Sequence, residues 1–527
     1  MKRVLDLPAT MPAPPVLILV WLKTALAGTP LSLVASTTAV VIVAYIAALS
    51  AFRLWFHPLT KYPGPPLAAA TTWYRAYFDV FLDGGWVHHL EYLHSTYGPI
   101  VRVAPNELHF GDPRAHSEIY GMNQRFAKEP VLYTSFATDE SVFALFDFHE
   151  AMQRRNLIGP FFSRKAILNL ENVVQSKIDI LVSRLLDYKD KAANLDLAYR
   201  CTSLEIITSY CFAQSSNVLD ADGFHHDILD AMDATLPMIW VFKHFPWIKA
   251  ILLNVPEWMA SYLKPSTVGI LEQRRQMGAQ IDQIMKDPSS LESIHHETIY
   301  HYFLTPQPGN DRLPPVTREW LLDEGIYMRF AGSDTVGNVC TVGTYHLLSN
   351  PKVKATLLRE LQEAWPDKDS SMSYEALEKL PYLTAVIKES LRMASGIVTP
   401  LPRVVGPTDV EILGEKIPAG TVVAMGHTMV HRNPEIFHDP DQFMPERWLQ
   451  DDAQSLDRYL VAFSKGPRSC LGINLAWCEL YLIFANMFRK LDFDPKELSI
   501  EDVNFREYFV PVIKGHHLHA VVKSTAA

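Results

Sequence analysis

The sequence is poor in the features that mark several common protein classes. It has no long basic stretch to offset a formal net charge of −10, so a nucleic-acid partner has little electrostatic support. Neither GxGxxG nor GxxxxGK followed by Ser or Thr occurs, so the chain carries no dinucleotide or nucleoside-triphosphate fingerprint of its own. Any electrons it uses must come from outside. Cysteine is scarce: Cys201, Cys211, Cys340, Cys470 and Cys478 form an odd set of five with no CxxC. That disfavours both a disulfide framework and a zinc ribbon and fits a reducing compartment. Internal repeats and low-complexity tracts are missing. So is any linker that would split the 527 residues into the roughly three domains that length alone suggests. What remains is globular composition, 48% hydrophobic and 20% charged, with material for a core large enough to hold a bulky cofactor.

The N-terminus differs in kind from the rest. No Asp, Glu, Lys or Arg appears between Lys23 and Arg53, and residues 31–52 are apolar or small throughout. As a helix this run rises about 33 Å, against a hydrocarbon core of about 30 Å, whereas the earlier run Val16 to Leu22 is too short to cross. A cleaved signal peptide would have a shorter apolar region placed nearer the start. The expectation is therefore an N-terminal segment over 1–30 and a transmembrane anchor over 31–52, with a charge bias too weak to orient it. Tyr62-Pro63-Gly64-Pro65-Pro66 fixes several backbone angles in succession and predicts a stiff hinge over 53–66. The body, 67–527, reads as mostly helical. Helical spacing runs through Val173 to Leu186, Trp320 to Leu348, Pro351 to Ala364, Tyr382 to Met393 and Ile473 to Phe488. Short strands are expected at Ile100 to Val103, Val410 to Leu413 and Thr421 to Ala424.

The most informative residues are Phe463-Ser464-Lys465-Gly466-Pro467-Arg468-Ser469-Cys470-Leu471-Gly472, a glycine-rich loop entering an apolar helix. Backbone N–H groups and the helix dipole at such an entrance favour a thiolate, which makes Cys470 a candidate metal ligand. Gly466 and Gly472 let the loop turn and approach a flat macrocycle, and Arg468 can pair with a haem propionate. The plain alternative is a buried cysteine in a tight turn. Phe, Gly, Arg, Cys and Gly at these offsets would coincide by chance at a frequency on the order of 10⁻⁴. Other patterns carry less. His296-Glu297 with His301 has histidines five apart, on diverging helix faces, and reads as a solvated cluster, not a zinc site. Trp240, Phe242, Phe245 and Trp247 fit either a substrate entrance near a membrane or ordinary core.

The loop resembles the FxxGxRxCxG haem-binding signature of the cytochrome P-450 superfamily at every fixed position. Ala331-Gly332-Ser333-Asp334-Thr335 is similar to the family's oxygen-activation motif, Glu389-Ser390-Leu391-Arg392 to its ExxR pair, and Pro445-Glu446-Arg447-Trp448 to its PERF-like segment. Order and spacing also agree. The resemblance implies a single mainly α domain with small β-sheets, the cytochrome P-450 fold, behind an N-terminal transmembrane helix. It implies haem b ligated by the Cys470 thiolate and contacted by Phe463, Gly466 and Gly472, with Ala331 and Gly332 beside it. Propionates would be held by Arg468, Arg403 and Arg155. Ala151 stands where relatives often have Trp or His, which leaves the Arg155 contact open. Gly332 would leave a helix face bare for a flat ligand and dioxygen. Thr335 would offer a hydroxyl to oxygen while Asp334 relays protons inward. Glu389, Arg392 and Arg447 would form a buried charged cluster that holds the Cys470 loop.

The implied partners are dioxygen, a small apolar substrate, a lipid bilayer and an NADPH-cytochrome P-450 reductase docking near Lys465 and Arg468. The implied location is a single-pass endoplasmic-reticulum anchor with a cytosolic catalytic domain. Phe56 to Pro66 and Arg102 to His109 look like filamentous-fungal members of secondary metabolism, and the whole chain is similar to the trichodiene-oxygenase-like group. A monooxygenase of a terpenoid or related polycyclic intermediate is the leading expectation. A polyketide substrate, or a haem-thiolate isomerase or dehydratase that needs no reductase, stands behind it, and a membrane haem sensor would need only Cys470. Tyr133, Phe136, Phe330, Ile397, Val398 and Phe509 are the expected pocket residues.

Overall fold

In the computed structural model, residues 31–189, 191–256, 259, 265–294, 296–304, 315–513 and 515–525 are described. The 1–30 segment with its short apolar run lies outside them. The helix expected as the anchor spans Leu31–Trp55, three residues beyond the expected end, and its middle is exposed on all sides, which is compatible with a membrane span. It runs past the apolar stretch because the Arg53 guanidinium donates to the carbonyl of Ala70 at 2.8 Å. It stops before Pro58, whose ring disfavours helical backbone in the residue preceding it. The proline-rich segment is docked, not free. Arg102 N–H donates to the Pro63 carbonyl at 2.8 Å, and any Cβ on Gly64 would fall onto the Arg102 carbonyl oxygen.

The body is mainly helical with small sheets. At its centre lies the helix Arg318–Ser349, started by the Thr317 side chain, which accepts the Trp320 N–H. Most of its residues are buried, charged ones such as Asp323, Glu324 and Asp334 included, so it lies in the core on nearly every face. It packs along Leu195–Phe212 at close range. A Cβ on Gly332 would sit 2.6 Å from Ile207 Cγ1, and one on Gly337 would sit 2.8 Å from Arg200 Cγ. Pro381–Ala394 and Ile473–Lys490 complete the frame around it.

The expected helices appear within a few residues of their predicted ends, and Pro351–Ala364 is set at its start by Asn350 capping the Val353 N–H. The strand expected through Leu413 ends at Ile412. Leu413 and Gly414 both take positive φ, +55° and +75°, the conformation a two-residue hairpin turn requires.

The five-stranded sheet runs Ile100–Ala104, Glu107–Phe110, Val422–Met425, Arg403–Val404, Ala127–Lys128. Its last pair is antiparallel, with Lys128 opposite Arg403. That register brings two cations to one place beside a cavity.

Candidate active site

Cys470 sits three residues before the helix Ile473–Lys490, whose N-cap is Gly472. Its N–H donates to the Phe463 carbonyl at 2.9 Å, and Ser469 N–H to the Gly466 carbonyl at 3.1 Å, so the loop folds back on itself. Gly466 has φ +72°, and a Cβ there would fall onto the Tyr120 carbonyl oxygen. Four cysteines are buried, while Cys470 keeps accessible surface. That surface opens into a cavity, with protein packed around the residue on its other sides. Burial pushes the thiol pKa up, and the Gly472 N–H and the Arg155 guanidinium pull it back. The net shift is upward. The loop alone does not make a thiolate, and a bound metal cation would be needed to hold one.

Fit to a haem can be tested on the residues present. Val142, Phe162, Ile207, Val336 and Leu401 give the cavity a largely apolar wall, as a flat macrocycle and an apolar ligand require. A Cβ on Gly472 would meet nothing within 4 Å, so that wall is open. Lys128, Arg155, Arg403 and Arg468 all line the cavity. None of the four forms a salt bridge among the described residues. Arg155 donates to the Ser469 carbonyl at 2.5 Å, and Arg468 to those of Leu145 and Phe146 at 3.0 and 2.9 Å. Arg403 donates to the Tyr133 hydroxyl at 2.7 Å and Lys128 to the Phe143 carbonyl. Arg468 Nε is buried without a partner.

Like charges directly opposite in a strand pair are destabilising, and the Lys128 pKa is driven well below the usual lysine range by burial and then by Arg468, Arg403 and Arg155. Burial, followed by Arg403, lowers Arg468 to about 10. Such a ring is stable only with anions among its members, and the two propionates of a haem are anions of the right kind. Lys128 was not among the sequence candidates. Its one signal is a lysine in a strand too short to recognise.

The distal side is the central helix. Ala331, Gly332 and Thr335 line the cavity and Asp334 does not. Gly332 faces the cavity edge, yet its missing Cβ chiefly makes room for Ile207, so the bare face serves helix packing first. Thr335 Oγ1 donates to the Ala331 carbonyl at 2.8 Å, which leaves its oxygen lone pairs as acceptors toward the cavity. Asp334 points away, accepting Arg200 Nε at 3.0 Å. Arg200 also binds Asp233 at 2.5 and 3.1 Å, and the Asp233 side chain reaches the surface with 38% exposure. The expected inward relay is thus held closed by an ion pair. Burial raises the Asp334 pKa against the pull of Arg200.

Glu389, Arg392 and Arg447 meet in the interior. Glu389 accepts Arg392 at 2.8 and 2.9 Å, Arg447 at 3.1 Å, Trp448 Nε1 at 2.9 Å and Met444 N–H at 2.9 Å. Burial raises its pKa, but Arg392 and Arg447 outweigh that and hold it low. The cluster reaches the cysteine loop through His431. Arg392 donates to the His431 carbonyl at 2.8 Å, and His431 Nε2 accepts the Val461 N–H at 2.9 Å, two residues before Phe463.

Of the expected pocket residues, Tyr133 and Ile397 line the main cavity, while Phe136 and Phe330 line a separate small one. Val398 and Phe509 line neither; Val398 N–H donates to the Phe509 carbonyl. Phe143 extends the wall, stacked on Tyr327 at 4.3 Å. Trp240 and Phe242 are core, and Trp247 is 61% exposed. His296 bonds backbone carbonyls of Ser209 and Tyr210 and is not a solvated residue, and the described residues hold no metal-binding cluster of His, Cys, Asp and Glu. Arg468 turns inward to the Leu145 and Phe146 carbonyls, away from Lys465.

A cavity floored by a cysteine, ringed by cations and walled by a hydroxyl-bearing helix has the form of a haem-thiolate site. The family profile described as Cytochrome P450 matches residues 65–519, and the chain belongs to that family, whose members hold haem through a cysteine thiolate. Similar curated proteins include cytochrome P450 monooxygenase MO6277 of Ascocoryne sarcoides, 36% identical over 89% of this chain and 94% of the relative. Cytochrome P450 monooxygenase flvC of Aspergillus flavus is 31% identical over 93% and 97%. Conidiogenone synthase PchP450 of Penicillium rubens is 33% identical over 88% and 94%. The chain is a P450 monooxygenase.

Proposed function

We propose that Cys470 ligates haem b and that the enzyme hydroxylates an apolar polycyclic secondary metabolite, a terpenoid first, with electrons from NADPH through a membrane-bound reductase. When bound, the haem supplies dioxygen activation: one oxygen atom enters a substrate C–H bond, and the other leaves as water with two electrons and two protons. The observation that carries this reading is the Cys470 sulfur opening into a cavity shared with a cation ring and Thr335. Lys128, Arg155, Arg403 and Arg468 hold the propionates by charge-assisted hydrogen bonds. Thr335 Oγ1 accepts a proton-bearing group over the cavity floor. Protons reach it when Arg200 swings toward Asp233 and releases the Asp334 carboxyl, which then carries a proton from the surface. Phe143 and Tyr327 keep bulk water off the site.

The terpenoid reading rests on the likeness to trichodiene-oxygenase-like proteins and sits well with a conidiogenone synthase among the relatives. An endoplasmic-reticulum anchor with a cytosolic body follows from the helix Leu31–Trp55 and the need for that reductase. A polyketide substrate fits the same cavity. An isomerase or dehydratase gains nothing from the Asp334–Arg200–Asp233 chain. Purified enzyme, reductase and NADPH, given candidate terpenoids under labelled dioxygen, should yield product carrying one labelled atom. Label-free product formed without reductase would establish the isomerase instead. Thr335→Ala should waste most NADPH as peroxide or water, and full coupling in that variant would refute the distal assignment.

A further inference from the structure

The central helix presents more than Ala331, Gly332 and Thr335 to the cavity. Glu324, Tyr327 and Met328 line it too, and positions 324, 327, 328, 331, 332 and 335 recur at the three- and four-residue spacing of one helix face. Three of these six carry polar groups; the Thr335 hydroxyl is bonded to the Ala331 carbonyl, which leaves Glu324 and Tyr327 beside apolar wall residues such as Val142, Phe162, Ile207 and Leu401. A buried polar group without a partner costs free energy. The Tyr327 ring is fixed by its stack on Phe143, interplanar angle 10°, and its hydroxyl makes no hydrogen bond to any described residue. Glu324 is 2% exposed and accepts the Val142 N–H through Oε2 at 2.8 Å, with no salt bridge among the described residues. Burial pushes its pKa up to about 7, so near neutrality it can give or take a hydrogen bond. One helical turn apart and fronting the same cavity, the buried Glu324 and half-buried Tyr327 suit an oxygen atom of a ligand better than a hydrocarbon.

We propose that Glu324 and Tyr327 form a polar subsite that recognises a hydroxyl or keto oxygen already present on the substrate, so that the enzyme acts on an oxygenated polycyclic intermediate, not on the parent hydrocarbon. The inference rests on the haem-thiolate monooxygenase reading above. Tyr327 and Thr335 are eight residues apart, about 12 Å along the helix axis, so the recognised oxygen and the oxidised carbon lie at opposite ends of a fused-ring skeleton. The reaction that supplies the substrate is then an earlier hydroxylation or a cyclisation terminated by water.

The test is a titration of the full-length holoenzyme, following the haem spin-state shift, with abietadiene and with abietadienol, the same tricycle bearing a terminal hydroxyl. The carbon-monoxide band of each preparation is checked first. The alcohol should bind about tenfold more tightly. Tyr327→Phe keeps the ring stack and removes only the hydroxyl. It should weaken the alcohol about tenfold and leave the hydrocarbon within about twofold. Equal affinities, binding of neither ligand, or a preference that survives Tyr327→Phe overturns the subsite. A preparation without the thiolate band sinks the monooxygenase reading and the subsite with it, whereas a normal band without the preference sinks the subsite alone.

Discussion

Lys128 and Arg403 face each other across a two-residue strand pair, an arrangement that repels until anions separate the charges. Lys128→Met should therefore speed haem transfer to excess apomyoglobin about tenfold, since a charge-assisted hydrogen bond contributes about 1.5–3 kcal/mol. An unchanged transfer rate would remove Lys128 from the propionate site. Gly466 combines φ +72° with a carbonyl oxygen where a Cβ would go. Gly466→Ala should lower the haem content of the purified protein and its melting temperature together, at a cost of about 1–3 kcal/mol. At this scale legibility in sequence depended on locality. Phe463, Gly466, Arg468, Cys470 and Gly472 fall within ten residues and announce one another, as do Ala331 to Thr335. Lys128, Glu324 and Tyr327 reach the cavity only through sheet register and helix packing, and no short pattern encodes those. Arg155 lies between the two cases: its position was readable, but its contact with the Ser469 carbonyl depends on how Phe148–Ile158 packs.

Among elements, the buried ionic clusters act as joints. Glu389 ties Pro381–Ala394 to Pro445–Leu449 and, through Arg392 and His431, to the stretch leading into the cysteine loop. Glu389→Ala leaves two buried guanidinium groups short of their counter-charge, a cost of about 3–5 kcal/mol, and should yield haem-free protein; a normal haem complement would contradict the joint. A second cluster had no sequence signal because its two halves, Arg75 with Asp79 and Lys243 with His244, are far apart in the chain. Asp79 accepts Arg75 at 3.2 Å, Lys243 at 2.9 Å and His244 at 2.8 Å, with Glu507 nearby. Burial works against ionised Asp79, but Lys243 and then Arg75 hold its pKa far below the usual carboxylate range. It pins the end of Asp227–His244 to the turn Tyr77–Phe81. Helices themselves were readable because long apolar periodicity and caps such as Thr317 and Asn350 are local. The end of the anchor helix was not, because Arg53 is kept in it by the distant Ala70 carbonyl.

For the whole molecule, two properties follow from summed surfaces and charges. Trp73, Tyr77, Phe81, Trp247 and Ile251 are each more than half exposed, and Trp73 meets Phe245 edge-on at 5.5 Å, an exposed apolar face of the kind that marks a protein or membrane contact. Protein lacking residues 1–56 should still sediment with phospholipid vesicles, and release on Trp73→Ser with Trp247→Ser would locate the contact. Stability against pH is a competition. Burial lowers the pKa of His109, His116, His346, His427 and His431. The unfolded chain then binds more protons on the acid side, and stability rises as pH climbs toward the ordinary histidine value. Glu324 works the other way. Its folded value of about 7 lies above the ordinary 4.5, so its contribution is complete below the ordinary value and is lost as pH rises through the folded one. Glu324→Gln should gain on the parent protein by up to about 3 kcal/mol between about pH 5 and about pH 8, read from paired melting curves; a constant difference would show that Glu324 titrates normally. The central claim remains the bond from Cys470 to iron. Its most direct test is the absorption of the reduced, carbon-monoxide-treated enzyme beside Cys470→His. The account predicts a strongly red-shifted Soret band in the parent and its loss in the variant. A folded, haem-loaded parent without that band, or a variant that keeps it, would contradict the account.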